Sequence, residues 1–171
     1  MTLQEIMALH LVNLAFARDR AGRICVAGTA APWLTPELRG RAQALAAAGE
    51  FVALEAMLAR SVWRYSGKLG GVARNAGVDF LLRDTCAELG PAAANGVLQR
   101  ALGVAVDGRL GAEVRAVLAG AEVEPAPLLR ALDAARRAAG SDAGRARAAV
   151  RLAQAFAPRA TARPLTAVAA G

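Results

Sequence analysis

The sequence predicts an all-α fold of seven or eight helices. Whether the fold also contains one small β-hairpin is not decided by the sequence. Roughly a quarter of the residues are alanine, the amino acid with the highest helix propensity. Apolar residues recur three and four positions apart in successive segments, which is the spacing of one helix face. Glycine and proline separate these segments, as they do at helix ends. Aromatic residues make up only 4% of the chain, so we expect a thin core of Leu, Val and Ala between closely packed helices.

The N-terminal part of the chain contains one clear helix and one ambiguous segment. An amphipathic helix is predicted over 3–17. Its expected apolar stripe comprises Leu3, Ile6, Met7, Leu9 and Leu14, and Leu11 and Phe16 broaden it. His10, the only histidine, is interpreted as a core or boundary residue, because no second histidine or cysteine lies nearby. The apolar run Ile24–Ala27 predicts either one strand of a hairpin or a buried connector, and Trp33 is expected to cover the core.

Helix-start signals define the middle of the chain. Thr35 is a good N-cap, Pro36 suits the first helical position, and Glu37 favours the positive end of the helix dipole. Further helices are predicted over 50–65 and 73–89 from the spacing of their apolar residues. The expected buried residues of these two helices are Phe51, Leu54, Met57, Leu58, Val62, Tyr65, Val78, Leu81, Leu82 and Cys86.

The most punctuated stretch of the sequence is 84–111. Gly90-Pro91 ends one helix and starts the next, predicted over 92–102. Asp107-Gly108 predicts a turn, and a short helix follows. This regular punctuation makes 84–111 the segment most informative about function.

Two more helices and a tail complete the predicted fold. One helix follows Pro125, and an arginine-rich helix is predicted over 143–156. Residues 158–171 are rich in Ala, Thr, Pro and Arg, a composition typical of a flexible tail. No internal repeat or domain boundary is evident. We therefore expect a single helical domain over 1–157, a size sufficient for a hydrophobic core.

The charge of the chain indicates an anionic partner. The formal net charge is +7, and all but one of the 21 basic residues are arginine, the exception being Lys68. Such a balance suits nucleic acid, an acidic cell-wall polymer or a membrane surface. An arginine-rich composition that only keeps an alanine-rich chain soluble is the open alternative. No cofactor is expected.

The sequence predicts neither a membrane span nor a metal site. The longest apolar run, 6–17, is too short to cross a bilayer. Glu5 stands where a signal peptide would carry basic residues, so synthesis in the cytoplasm is expected, with action at the cell wall only after release or within a particle. Cys25 and Cys86 lack zinc-ligand spacing and are expected to be buried, reduced thiols.

From Asp84 onward, the chain resembles the C-terminal half of the phage-type muramidases, the endolysin and secretion-activator family. That half, here 84–137, is a predicted peptidoglycan-binding domain in the family. The resemblance covers about sixty residues and includes an LQ-x-x-LG element in register with a DG-x-hydrophobic-G turn. The matching residues are Asp84, Gly90, Ala94, Leu98, Gln99, Leu102, Gly103, Asp107, Gly108, Leu110 and Gly111. The pair Leu128-Leu129, followed by Arg136-Arg137, also resembles the family's next helix.

The resemblance implies a lysozyme-like helical protein that binds peptidoglycan or another anionic polymer. It also implies protein partners, if the protein is a component of a phage-derived particle. For glycan contact we select two aromatic residues, which can stack on sugars, together with Arg109. The segment that matches the family adds its glutamine and its turn. The predicted substrate-binding residues are Trp63, Tyr65, Gln99, Asp107, Gly108 and Arg109.

The N-terminal part departs from the family pattern. These muramidases carry Glu-Gly-Gly and a DPGG-like loop, and neither is present here. Asp19 is flanked by Arg18 and Arg20, which favour its ionised form and make it a poor general acid. We therefore expect muramidase activity to be lost. The alternative is an active muramidase whose acid has moved to Glu88 or Glu50, although Glu88 is more simply a solvated residue at a helix C-terminus.

A third hypothesis is a basic helical protein that binds nucleic acid. Arg145, Arg147 and Arg151 on the last helix would contact phosphates, and binding would fall steeply with salt. The sequence has no helix-turn-helix signature, and a basic helix face is more often simply solvated.

Overall fold

The computed structural model describes residues 2–18, 24–26, 31–69 and 71–157, and side chains in all of these except 14–18 and 24–26. The described part has eight helices and one short two-stranded hairpin, which confirms the predicted all-α class. Its elements are α1 (Leu3–Ala15), β1 (Phe16–Arg18), β2 (Ile24–Val26), α2 (Pro36–Ala47), α3 (Phe51–Ser66), α4 (Ala76–Leu89), α5 (Pro91–Leu102), α6 (Ala112–Ala121), α7 (Pro125–Ala138) and α8 (Ala143–Phe156). The two short strands pair antiparallel, with Phe16 opposite Val26.

Capping residues explain where the helices begin and end. The Thr35 hydroxyl accepts a hydrogen bond from the Leu38 amide at 3.2 Å, as predicted for an N-cap. Asn75 caps α4 by accepting from the amides of Gly77 and Val78. This cap places the start of α4 at Ala76, so the predicted start at residue 73 is wrong. Between α4 and α5 the chain turns at Gly90, whose φ of 87° is one that glycine adopts without strain.

Helix α4 lies at the centre of the fold. Ten of its 14 residues are buried, and it contacts α1, α3, α5, α7 and α8. The buried set includes the predicted apolar residues Val78, Leu81, Leu82 and Cys86, all fully buried. It also includes the charged residues Arg83 and Asp84. Because partners surround this helix on nearly every side, its polar side chains must find hydrogen bonds inside the protein.

The approach of α4 to α8 depends on small residues. A β-carbon placed on Gly77 would lie 2.2 Å from the Ala153 carbonyl oxygen and 2.6 Å from the Ala157 β-carbon. On the α8 side, the buried residues are Ala146, Ala149 and Ala153. The alanine-rich composition therefore allows two helix backbones to pack closely, as expected of a core with few large side chains.

The apolar stripe of α1 matches the predicted one at Met7 and Leu11 but not at Leu3. Leu3 is 47% exposed, whereas Met7, Ala8, Leu11 and Val12 are buried against α3 and α4. The predicted stripe began too early because the first turn of α1 extends past the core. In α3, Phe51 is likewise exposed, at 43%.

Other sequence predictions have mixed outcomes. Trp33 is 4% exposed and belongs to the core, as expected, and Cys86 is a buried free thiol. Asp19, the side chain of Cys25 and the tail predicted over 158–171 lie outside the described residues. In the part of the chain that the structure describes, no helix is long and apolar enough to span a membrane.

Candidate functional site

The most distinctive local structure is an exposed turn, Asp107–Arg109, held by the buried side chain of Gln99. Gln99 lies on α5 and is 1% exposed. Its Nε2 donates to Asp107 Oδ1 at 2.5 Å and to the Arg109 carbonyl oxygen at 2.8 Å. Its Oε1 accepts from the Gly108 amide at 2.9 Å. The hydrogen bonds of the Gln99 side chain therefore all go to the turn.

Further hydrogen bonds fix the turn. Asn95, one helical turn before Gln99, donates from Nδ2 to the Gly108 carbonyl oxygen at 2.9 Å. Asp107 Oδ1 accepts from the Arg109 amide at 2.8 Å. This amide, together with the Gln99 amide group, lowers the pKa of Asp107 below its usual value. Gly108 has a φ of +75°, which a residue with a side chain rarely adopts. The turn therefore presents one fixed shape and a carboxylate that stays ionised.

The turn lies near the C-terminal end of α3. Leu110 and Tyr65 both pack against a small buried cluster of Leu69, Cys86 and Ala94. The Lys68 ammonium lies 5.4 Å from the centroid of the Tyr65 ring. Burial, and after it the neighbouring Cys86, raise the pKa of Tyr65 above its usual value, so the phenol keeps its proton. We call Tyr65, Lys68 and the Asp107–Arg109 turn the turn patch.

Trp63 belongs to a different surface. It lies two residues before Tyr65, a rotation of roughly 200° around a helix. The Arg83 guanidinium stacks on its ring at 3.7 Å from the centroid. Trp63 also lines a pocket between α1 and α3. The structure thus joins Gln99 and the Asp107–Arg109 turn in one hydrogen-bonded unit. Tyr65 packs on the same small cluster as Leu110, and Trp63 lies on another surface.

Glu88 is buried in a network of charged and polar groups, which we call the Glu88 network: Asp84, Glu88, Arg136, Ser141 and Arg145. The Glu88 side chain is 8% exposed. Its Oε2 accepts from Arg136 at Nη2 and at Nε, the latter at 3.0 Å, and from the Ser141 hydroxyl at 2.6 Å. The interpretation of Glu88 as a solvated residue is therefore wrong. Its partners lie on α7 and in the segment before α8, more than forty-five positions away in sequence.

The rest of the Glu88 network joins α4 to α7 and α8. Asp84 is fully buried and pairs with Arg136 and with Arg145, the latter at 2.6 Å. Burial lowers the pKa of Arg136, but the charges of Asp84 and Glu88 outweigh it and raise that pKa above its usual value. The Arg145 side chain is 14% exposed and engaged with both carboxylates. Arg145 is thus paired with carboxylates of the protein itself, and its contact with phosphate stays a prediction.

The two predicted acids lie in unlike surroundings. A general acid must present its proton to the bond that breaks, whereas Glu88 accepts hydrogen bonds from groups within the protein. Glu50 is exposed at the start of α3, about 22 Å along that helix from Tyr65 at 1.5 Å per residue. This arrangement favours a structural role for Glu88 and places Glu50 far from the turn patch.

Comparison with known protein families, curated proteins and solved structures found no match for this chain. Among the described residues, no cluster of three or more His, Cys, Asp or Glu could hold a metal ion.

Sequence reasoning missed two residues: Lys68, which belongs to the turn patch, and Asn95, which holds the turn in place. Asn95 lies four residues before Gln99, on the same helix face. This spacing of two amide side chains is a sequence signal that both could bind the same segment. Lys68 is the only lysine in the chain. Its position beside Tyr65 depends on the turn after α3, which the sequence pattern does not specify.

Replacing Gln99 by alanine should loosen the turn without removing any exposed group. The Gly108 amide and the Arg109 carbonyl would lose their partner in an exposed turn that water can reach, at a cost of about 0.5–1.5 kcal/mol in the free energy of unfolding. Hydrogen exchange of the Gly108 amide should become faster. The matched control is Gln43→Ala on the exposed face of α2, for which we expect a change within about 0.5 kcal/mol. Unchanged exchange at Gly108 in the Gln99 variant would contradict this role.

Proposed function

We propose that this protein binds peptidoglycan through the turn patch and does not hydrolyse it. The observation that carries the proposal is the use of Gln99: a buried amide whose hydrogen bonds all hold an exposed turn of three residues. Buried polar side chains nearly always have hydrogen-bond partners, most often backbone groups. Here they fix the shape of a surface feature, as expected where that shape is used for recognition.

The chemistry of the turn patch suits an anionic glycan with peptide side chains. The Tyr65 ring offers a stacking surface for the C–H face of a sugar, and its phenol can hydrogen-bond to hydroxyl groups. Arg109 and Lys68 offer positive charge to carboxylates, and Asp107 offers an ionised acceptor to hydroxyl and amide groups. The net charge of +7 acts in the same direction by attracting an anionic polymer.

The resemblance to the phage-type muramidases supports the same proposal. Gln99, Asp107 and Gly108, on which that resemblance rests, form one hydrogen-bonded unit in this protein. The burial of Glu88 among arginines supports the absence of hydrolysis, because its carboxylate is engaged by internal donors.

Co-sedimentation with purified insoluble peptidoglycan at two salt concentrations tests the proposal, with turbidity followed in the same tube. We expect the protein to sediment at both concentrations while turbidity stays constant. Arg109→Ala should weaken binding at least about 5-fold, equivalent to about 1 kcal/mol. The matched control is Arg147→Ala, which removes the same charge from the exposed face of α8.

Three results would contradict the proposal. Falling turbidity would show hydrolysis and direct attention to Glu88 and Glu50. Equal weakening by the Arg109 and Arg147 variants would indicate nonspecific charge attraction. Loss of binding at modest salt would favour nucleic acid as the partner, although only Arg147 and Arg151 of the three arginines on α8 would then be available.

A further inference from the structure

A second surface, on the opposite side of α3 from Tyr65, forms a pocket of about 390 Å³ between α1 and α3. Its volume lies within the range of small-ligand sites. The lining combines apolar side chains, Leu9 among them, with the indole of Trp63. At its polar edge are Gln4, Glu5 and Arg60, all exposed.

The indole of Trp63 is held rigidly from one side. The Arg83 guanidinium covers one face of the ring at 3.7 Å from the centroid. Arg83 is in turn fixed by Asp79, at 2.8 Å from its Nε, and by the Trp63 carbonyl oxygen, at 3.3 Å from its Nη1. Because Arg83 occupies one face, the remaining ring surface is the part that the pocket can offer to a ligand. A fixed aromatic surface reduces the entropy lost on binding.

The charges around the pocket indicate an uncharged ligand. Glu5 and Arg60 carry opposite charges, and Gln4 is neutral, so the lining has no net charge to attract an ion. The three side chains supply both donors and acceptors, which suit hydroxyl and amide groups. A flat apolar ring surface with such groups at its edge fits the pyranose ring of an uncharged, N-acetylated amino sugar.

We propose that the pocket between α1 and α3 is a separate site for one or two neutral N-acetylhexosamine rings. This inference rests on the proposed function and divides it: the turn patch binds the charged parts of the wall polymer, and the pocket binds its neutral sugar. Two sites on one chain bind a repeating polymer more tightly than either alone, through their effective concentration.

Titration with N,N′-diacetylchitobiose, followed by tryptophan fluorescence, tests the pocket. The chain has two tryptophans, and Trp33 is buried at 4% exposure, so a saturable change is expected to come from Trp63. Ala56→Leu places a larger side chain in the pocket lining and should weaken binding of the disaccharide at least 10-fold. Ala53→Leu is the matched control, because Ala53 is exposed on the same helix.

The outcomes separate this inference from the proposed function. A saturable signal that is lost in Ala56→Leu and kept in Ala53→Leu supports the pocket. No saturable signal, or equal binding by the two variants, overturns it. If the disaccharide fails to bind while insoluble peptidoglycan still sediments the protein, the pocket inference fails alone. If the disaccharide binds and peptidoglycan does not, the pocket binds a sugar but the proposed function fails.

Discussion

Replacement of Arg136 by alanine is expected to lower the free energy of unfolding by about 3–5 kcal/mol, the usual effect of removing one partner from a buried ion pair. Arg136 is fully buried and pairs with both Asp84 and Glu88. Without it, two carboxylates would remain in the interior with one guanidinium, that of Arg145, between them. One carboxylate charge would then stay buried without a partner, or α7 would move away from α4 to let water reach it.

Thermal or urea unfolding of the purified variant measures this effect. At roughly 2–4 °C per kcal/mol for a chain of this size, the midpoint temperature should fall by about 6–20 °C. The neighbouring Arg137→Ala is the matched control: its side chain is 47% exposed and pairs with Asp133 on the surface. We expect it to cost no more than about 1 kcal/mol. Equal, small effects of the two substitutions would show that the Glu88 network does not hold α4, α7 and α8 together.

Replacement of Gly77 by alanine should also destabilise the fold, by about 1–3 kcal/mol or more. The added β-carbon would lie 2.2 Å from the Ala153 carbonyl oxygen, which is backbone and cannot rotate away. To admit it, α4 and α8 must separate, and both the close packing between them and the position of Arg145 would change. Unfolding in urea measures the loss.

The matched control for Gly77 is Gly120→Ala in α6. No atom lies within 4 Å of a β-carbon placed on Gly120. Alanine there should stabilise the protein by about 0.5–1 kcal/mol, since it lowers the entropy cost of forming a helix. A Gly77 variant as stable as the Gly120 variant would be incompatible with the close approach of α4 to α8.

The helices could be predicted because their signals are local. Thr35 and Gly90-Pro91 specify helix ends through the chemistry of a few adjacent residues, and apolar spacing gives the faces of α4 and α5. The predicted stripe of α1 begins one turn too early, at Leu3, because periodicity shows a face but not how far that face extends along the core. Only the packing of α1 on α3 and α4 decides that Met7 is buried and Leu3 is not.

Charged residues account for the larger errors. A sequence pattern assigns arginine and glutamate to the surface, since they are seldom buried unless paired. Glu88 and Arg145 are paired, but their partners lie on helices that meet only in the folded chain. No spacing rule connects them. The contact of Arg83 with Trp63 could not be predicted for the same reason, since the two residues are twenty positions apart and meet only through packing.

The contact between Gln99 and the turn is more local than the contacts of the charged core, because its residues are close in sequence. Only the last residues of α5 and a short connector lie between Gln99 and the Asp107–Arg109 turn. Their contact follows because the chain reverses direction after α5. Tyr65 joins them through packing against Leu69, Cys86 and Ala94, which no local pattern indicates. Trp63 was grouped with Tyr65 only because both are aromatic.

The most direct test of the central claim is an NMR titration of the isotope-labelled protein with a soluble disaccharide–peptide fragment of peptidoglycan. If the turn patch is the contact surface, the amides of Gly108, Arg109 and Leu110 should shift in a saturable manner, together with those near Tyr65. The amides around Arg147 and Arg151 on α8 should stay unchanged. Saturation without shifts at the turn, or shifts confined to α8, would show that the turn clamped by Gln99 does not bind the cell wall.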